Sequence, residues 1–170
     1  MTVRLIIVFL GLLPAQAAHA IREGDPAPVL EAKLLDGRSF SLAASTGKVV
    51  IVNFWATWCE PCRAEMPALN AYYERHKAEG LEILAISMDR PADEGKAREF
   101  LRNFTFSAGF GRDANFRGYG RVWRLPLTFV IDRKGILRKD GWYGDPGIDL
   151  RLLETTVTPL LSTMQAPSRP

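Results

Sequence analysis

The chain of 170 residues contains two cysteines, which stand two residues apart in the segment 58–62, WCEPC. The β-branched apolar run 49–54 precedes this segment and predicts a buried strand, while residues 61–77 are suited to a helix. Cys59 then lies at the helix N-cap, where unpaired backbone N–H groups and the helix dipole favour its thiolate. The spacing predicts reversible disulfide exchange, in which Cys59 attacks a foreign disulfide and the more sheltered Cys62 resolves the mixed disulfide.

Two structural interpretations of the cysteine pair are weaker. A zinc site normally needs four ligands, and the chain has no second Cys-x-x-Cys motif and only two histidines, His19 and His76. His76 lies too far along the predicted helix to help. A structural disulfide is the other interpretation, but a bridge across two residues closes almost no loop and so contributes little entropy.

Three segments resemble the thioredoxin superfamily, and specifically its exported TlpA/ResA/DsbE-like branch. Residues 58–67 are similar to the redox helix of that branch, residues 24–28 to the segment that leads into its domain, and residues 125–132 to its proline-preceded strand. The similarity extends over residues 24–161, which is most of the chain. Three ordered motifs are a far more specific pattern than a lone Cys-x-x-Cys.

The order of the predicted elements is that of an α/β domain. Strands are predicted in a hairpin at 32–42 and at 49–54, 81–87, 106–110, 127–131 and 136–139, and helices at 61–77, 93–103 and 149–161, with one helical turn at 115–119. Strands separated by helices, followed by a terminal hairpin and helix, predict a mixed central sheet covered on both faces. This is the thioredoxin-like fold, extended at its N-terminus by a β-hairpin. Pro67 falls inside the redox helix and should kink it.

The first twenty residues predict an export signal. Arg4 precedes a short apolar run at 5–13, and Ala18-His19-Ala20 fits the small-x-small cleavage pattern. The run is well below the about 20 apolar residues that a membrane span needs. We therefore expect a periplasmic or otherwise exported protein whose signal peptide is cleaved after Ala20, with an uncleaved membrane anchor as the alternative.

The remaining chain is predicted to form one domain, residues 21–161, followed by a disordered tail at 162–170 that is rich in Pro, Ser and Thr. Lys and Arg number 22 against 19 Asp and Glu, for a net charge of +3. Positive and negative charges are thus nearly balanced, which argues against a nucleic-acid partner or an anionic membrane surface. We expect a monomer without metal or cofactor, whose redox group is the Cys59–Cys62 disulfide itself.

Glu65 lies three residues beyond Cys62, on the same side of the helix, and resembles a glutamate of the TlpA/ResA branch that tunes the cysteine pair. A partly buried carboxylate there can shuttle a proton to or from Cys62 and discourage a permanent thiolate. A solvated helix glutamate is the simpler interpretation. Asn53 occupies the place where cytosolic thioredoxins usually have a buried aspartate. Because an amide accepts no proton at ordinary pH, proton handling must fall to Glu65, water or Glu60.

Residues around the pair are predicted to contact a client protein. The resemblance implies that Pro126 follows a cis peptide bond and lies against the disulfide. The backbone of Leu125 would then be free to pair with an extended partner peptide. Trp58 is expected to be exposed and to face the partner, together with Glu60 and Pro61.

Charge around the cysteines predicts a reducing pair. Strongly oxidising pairs stabilise their thiolate with extra positive charge, often a histidine between the cysteines. Here Glu60 occupies that dipeptide and Glu65 follows, opposed by Arg63.

The resemblance also implies partners, because the branch is typically reducing and often serves cytochrome c maturation. Disulfide-containing clients such as apocytochrome c and a membrane-embedded thiol-relay electron donor are therefore expected. A disulfide-inserting oxidase and a non-enzymatic peptide-binding or chaperone module stay open as alternatives. A peroxidase of the peroxiredoxin type would need Pro and Thr where this chain has Val52 and Ala56.

Overall fold

Seven strands and three principal helical segments make up the computed structural model, which describes residues 21–145 and 147–162. The strands are β1 (Glu31–Leu34), β2 (Ser39–Ser41), β3 (Val49–Trp55), β4 (Leu81–Ser87), β5 (Ser107–Asn115), β6 (Leu127–Ile131) and β7 (Leu137–Lys139). The helices are α1 (Glu60–His76), α2 (Glu94–Leu101) and a C-terminal helix made of α3 (Leu150–Leu152), a π-helical turn (Leu153–Val157) and α4 (Thr158–Ser162).

The strands form one mixed sheet in the order β2-β1-β5-β4-β3-β6-β7. β3 pairs in parallel with β4, and β4 with β5, while all other neighbours are antiparallel. The β1–β2 hairpin extends the sheet beyond β5, and its turn contains Gly37 with a left-handed φ of 87°. The predicted α/β class and N-terminal hairpin extension are both confirmed.

β3 is the centre of the core, since all seven of its residues are buried. Alternate side chains point to opposite faces of the sheet. Ile51 belongs to an apolar cluster with Met66 of α1, whereas Val52 belongs to a second cluster with Phe129 of β6. The two clusters cover the two faces of the sheet, and they hold the end of β3 and the start of α1 in a fixed relation.

The predicted strand at 106–110 was too short. β5 pairs with β4 from Ser107 to Phe110, and it continues to Asn115 as a partner of β1. The antiparallel partner supplied by the hairpin keeps residues 111–115 extended.

Both ends of the chain also bear on the predictions. The C-terminal helix runs through Ser162, so the predicted tail begins one residue too early. The predicted signal peptide at 1–20 and the rest of the tail lie outside the described residues. Within the described ranges, no helix has the length and apolarity needed to cross a membrane.

Candidate active site

The cysteine pair sits where β3 ends and α1 begins. Cys59 is the N-cap of α1, and its Sγ accepts a hydrogen bond from the Cys62 N–H at 3.3 Å. The two residues are joined by a disulfide. The N-cap position that the sequence predicted is therefore confirmed, and it places Cys59 at the positive end of the helix dipole.

The loop before Cys59 is held from the neighbouring strand β4. Thr57 donates from its backbone N–H and from its hydroxyl to the carboxylate of Asp89, at 3.0 and 2.7 Å. Ser87 Oγ donates to the same carboxylate at 2.9 Å. Asp89 thus fixes the turn that presents the cysteines, a role for which the sequence offered no motif.

The two cysteines differ less in exposure than we predicted. Cys59 is 5% exposed and Cys62 is 0% exposed, because both pack in the apolar cluster that includes Trp55 and Ala56. The asymmetry of the oxidised pair therefore lies mainly in the N-cap position of Cys59. The accessible surface around the pair comes from Trp58, which is 67% exposed, and from the exposed residues between the cysteines, Glu60 and Pro61.

Glu65, which lies three residues beyond Cys62 on α1, is a titratable group held by hydrogen bonds from two other parts of the fold. Its Oε1 accepts from Asn53 Nδ2 at 2.7 Å, and its Oε2 accepts from the Ile148 N–H at 3.0 Å. Burial raises the pKa of Glu65 from 4.5 to about 7, even though these two donors act in the opposite direction. Glu65 is thus a half-buried carboxyl able to give or take a proton near neutral pH, which excludes the interpretation as a solvated helix glutamate.

Asn53 supports Glu65 from the centre of the sheet. It lies on β3 opposite Thr128 of β6, and its Nδ2 donates to Thr128 Oγ1 at 2.9 Å as well as to Glu65. Its Oδ1 is buried without a hydrogen-bond partner among the described residues. An ionised aspartate at this position would accept hydrogen bonds instead of donating one, whereas the amide donates to Glu65 and favours its ionised form against the effect of burial.

The Leu125–Pro126 peptide bond is cis, as the resemblance implied. Pro126 is buried, and Leu125 is half-buried with backbone groups that form no hydrogen bond to any described residue. A Cβ atom placed on Gly147 would lie 3.6 Å from Pro126 Cγ and 3.1 Å from Glu65 Oε2. The backbone at Gly147 therefore fits closely between the proline and the carboxyl.

Sequence reasoning missed an exposed aromatic surface close to this proline in the chain. Trp123 is 73% exposed and stacks on Trp142, with ring centroids 5.8 Å apart. The Arg124 guanidinium lies 5.6 Å from the Trp123 ring. Trp58 is thus not the only exposed tryptophan of the described chain. No group of three or more His, Cys, Asp or Glu residues within the described ranges could hold a metal ion.

A thioredoxin-like fold with a Cys-x-x-Cys disulfide at the N-terminus of α1 defines a thiol-disulfide oxidoreductase. The model of the AhpC/TSA family matches residues 23–140, more than half of the chain. Thiol-disulfide oxidoreductase ResA of Geobacillus thermodenitrificans is 38% identical over 123 residues, covering 71% of this chain and 69% of that protein. Thioredoxin-like protein YneN of Bacillus subtilis is 33% identical, covering 69% and 70%.

A solved structure of a thiol:disulfide interchange protein of the thioredoxin family from Chlorobium tepidum TLS is 28% identical. It matches with a TM-score of 0.65 and covers 84% of this chain and 99% of the other. The chain belongs to the AhpC/TSA family of thioredoxin-like proteins, and it is an enzyme of the thiol-disulfide oxidoreductase class.

The raised pKa of Glu65 predicts a pH-dependent stability. Because the folded state keeps its proton up to about pH 7 while the unfolded state loses it near 4.5, stability falls as the pH rises between these values. The loss amounts to at most about 3.5 kcal/mol, at about 1.4 kcal/mol for each unit of pKa. Glu65→Gln should remove this loss, as measured by urea unfolding of the oxidised protein from pH 4 to 8.

Glu60→Gln is the matched control, since it removes an exposed carboxylate from the same helix. It should leave the pH dependence of the wild type in place. Parallel stability curves for wild type and Glu65→Gln across this range would show that the carboxyl is not perturbed as described.

Proposed function

We propose that the protein is an exported reductase that reduces disulfides in client proteins through the Cys59–Cys62 pair. The single observation that carries the proposal is the half-buried carboxyl of Glu65, held one helical turn beyond Cys62 with a pKa of about 7. Export is supported by the apolar run and small-x-small pattern of the first twenty residues. Relatives named ResA support thiol-disulfide exchange as the chemistry.

The exchange proceeds in two displacements at sulfur. In the reduced enzyme, the Cys59 thiolate attacks one sulfur of the client disulfide, and the other client sulfur leaves as a thiolate that takes up a proton. The Cys62 thiolate then attacks Cys59 Sγ and releases the second client sulfur. The client gains two electrons and two protons, and the enzyme is left with the disulfide seen here.

Glu65 supplies the proton handling for the second displacement. Cys62 is fully buried, so its thiol needs a nearby group to remove its proton when it attacks. Glu65 lies three residues further along α1, and its pKa of about 7 lets it act as a base and later return the proton. In its ionised form the same carboxyl disfavours the Cys59 thiolate, so the reduced thiols keep their protons to a higher pH.

The charges near the cysteine pair support electron flow from the enzyme to the client. Glu60 is exposed between the cysteines, and Glu65 adds a second carboxyl. Arg63 is the nearest cation in sequence, but its guanidinium donates to the backbone O of Thr57. Less stabilisation of the thiolate means a more reducing couple, so the oxidase alternative is the less favoured one.

Client binding is proposed at the surface formed by Trp58, Glu60, Pro61, Leu125 and Pro126. The free backbone groups of Leu125 can pair with an extended client segment that carries the disulfide. Apocytochrome c is the proposed client, because its haem-binding cysteines must be reduced and the resembled branch often serves that purpose. A membrane-embedded thiol relay is the proposed electron donor.

Unequal roles for the two cysteines should be visible in trapping experiments. Cys62→Ser should accumulate mixed disulfides through Cys59, because nothing resolves them, whereas Cys59→Ser should accumulate none. Non-reducing gels of protein incubated with a disulfide-bonded client measure this. The control is the Cys59→Ser/Cys62→Ser double variant, whose retention of a client would reveal a binding module that needs no chemistry. Equal trapping by the two single variants would remove the assigned roles.

The redox potential of the pair tests the direction of electron flow. Equilibration against a dithiothreitol or glutathione series should give a potential nearer the thioredoxin value, about −270 mV, than the strong-oxidant value, about −120 mV. Glu65→Gln should be more oxidising than wild type, because loss of the negative charge favours the thiolate. A wild-type potential above about −150 mV would make the protein an oxidase.

A further inference from the structure

Lys139, the last residue of β7, carries a buried positive charge that the proposed chemistry does not use. It is 7% exposed, and no other lysine or arginine among the described residues is buried. Its Nζ donates to two backbone carbonyl oxygens, Asp145 O at 2.8 Å and Thr128 O at 3.4 Å, and forms no ion pair with a described carboxylate. Burying an ammonium group costs several kcal/mol unless it is well paired, so the burial of Lys139 requires a compensating role.

The hydrogen bond to Thr128 connects Lys139, through Asn53, to one carboxylate oxygen of Glu65. While Thr128 O accepts from Lys139, Thr128 Oγ1 accepts from Asn53 Nδ2 at 2.9 Å. The same Nδ2 donates to Glu65 Oε1 at 2.7 Å. Lys139 is therefore tied to the residue that orients the amide donor.

The Asp145 contact leads to the other oxygen of Glu65. Asp145 O accepts from Lys139, and Asp145 Oδ1 accepts from the Gly147 N–H at 3.1 Å. The next residue, Ile148, donates its backbone N–H to Glu65 Oε2 at 3.0 Å. The backbone that carries this donor is therefore fixed by two hydrogen bonds, one from Lys139 to Asp145 O and one from the Gly147 N–H to the Asp145 carboxylate.

We propose that Lys139 is a positioning residue of the redox site, which fixes the two hydrogen-bond donors of Glu65 and supplies a buried positive charge to its carboxylate. The structure joins Lys139 to both carboxylate oxygens through separate short paths, and the two paths meet only at Glu65 and Lys139. The catalytic consequence rests on the proposed function, in which Glu65 handles protons. The positioning itself can be tested without it.

The charges around the two residues agree with this role. Among the charged groups that act on Glu65, Asp145 raises its pKa and Lys139 lowers it. Burial lowers the pKa of Lys139, while Asp145, Glu23 and Asp140 favour its charged form and Arg124 opposes it. Removal of the Lys139 charge therefore leaves Glu65 with burial and Asp145 acting together to keep it protonated.

The test follows the ionisation of Glu65 directly. Oxidised protein labelled with ¹³C at the glutamate carboxyl is titrated by NMR, and Glu65→Gln assigns the resonance. Lys139→Met, which keeps the length of the side chain without its charge, should move the Glu65 midpoint upward by about half a unit to one unit. Lys139→Arg should recover part of the shift. Lys134→Met is the matched control, because it removes an exposed lysine from the β6–β7 turn, and it should titrate as wild type.

A purely structural role for Lys139 gives a different result. Lys139→Met would then change the urea midpoint of unfolding while the Glu65 resonance titrated within about 0.2 unit of wild type, and this outcome overturns the proposal. If Lys139→Met does not fold, Gly147→Ala tests the same support, since its Cβ would lie 3.1 Å from Glu65 Oε2 and should displace the Ile148 donor. An unshifted Glu65 midpoint in folded Gly147→Ala also contradicts the proposal. Failure of the reductase assignment would appear separately, in the wild-type redox potential.

Discussion

The burial of one carboxyl group beside a redox-active cysteine pair is the constraint on which the site depends. Glu65 lies on α1, whose N-terminus favours negative charge at Cys59, while in the proposed mechanism the carboxyl opposes a thiolate there. Burial raises its pKa to about 7, and two hydrogen bonds keep it from rising further. The result is a group that changes its charge in the pH range where disulfide exchange takes place.

This constraint explains why distant parts of the chain converge on α1. Asn53 comes from the central strand, and the Ile148 N–H comes from the segment after β7. Lys139 ties both supports together from inside the domain. The mixed sheet therefore does more than carry the cysteines at the end of β3, because β3 and the segment after β7 supply the two hydrogen-bond donors to Glu65.

Local patterns predicted the parts of the fold that depend on neighbouring residues. The apolar run of β3 and the N-cap position of Cys59 could be predicted because strand burial and helix capping leave short-range patterns. β5 was predicted too short, since residues 111–115 are extended by a partner strand about eighty residues earlier in the chain. Glu65 was recognised as a candidate from its place one turn after Cys62 and from its resemblance to a glutamate of the TlpA/ResA branch.

The environment of Glu65 could not be predicted in the same way. A backbone N–H such as that of Ile148 leaves no mark in the sequence, and Lys139 looks like any other charged residue at the end of a short strand. Their contacts span long sequence separations, so only the assembled fold brings them to the carboxyl. Asn53 was the one signal in the sequence, because it stands where cytosolic thioredoxins usually have a buried aspartate and an amide accepts no proton at ordinary pH.

The most direct test of this account is the thiol pKa of Cys59 in the reduced protein, followed by thiolate absorbance or by the pH dependence of alkylation. The account predicts that Glu65→Gln lowers this pKa by about one unit relative to wild type, because the opposing carboxylate is gone. An unchanged thiol pKa would contradict the central claim that the buried carboxyl and the cysteine pair are electrically coupled.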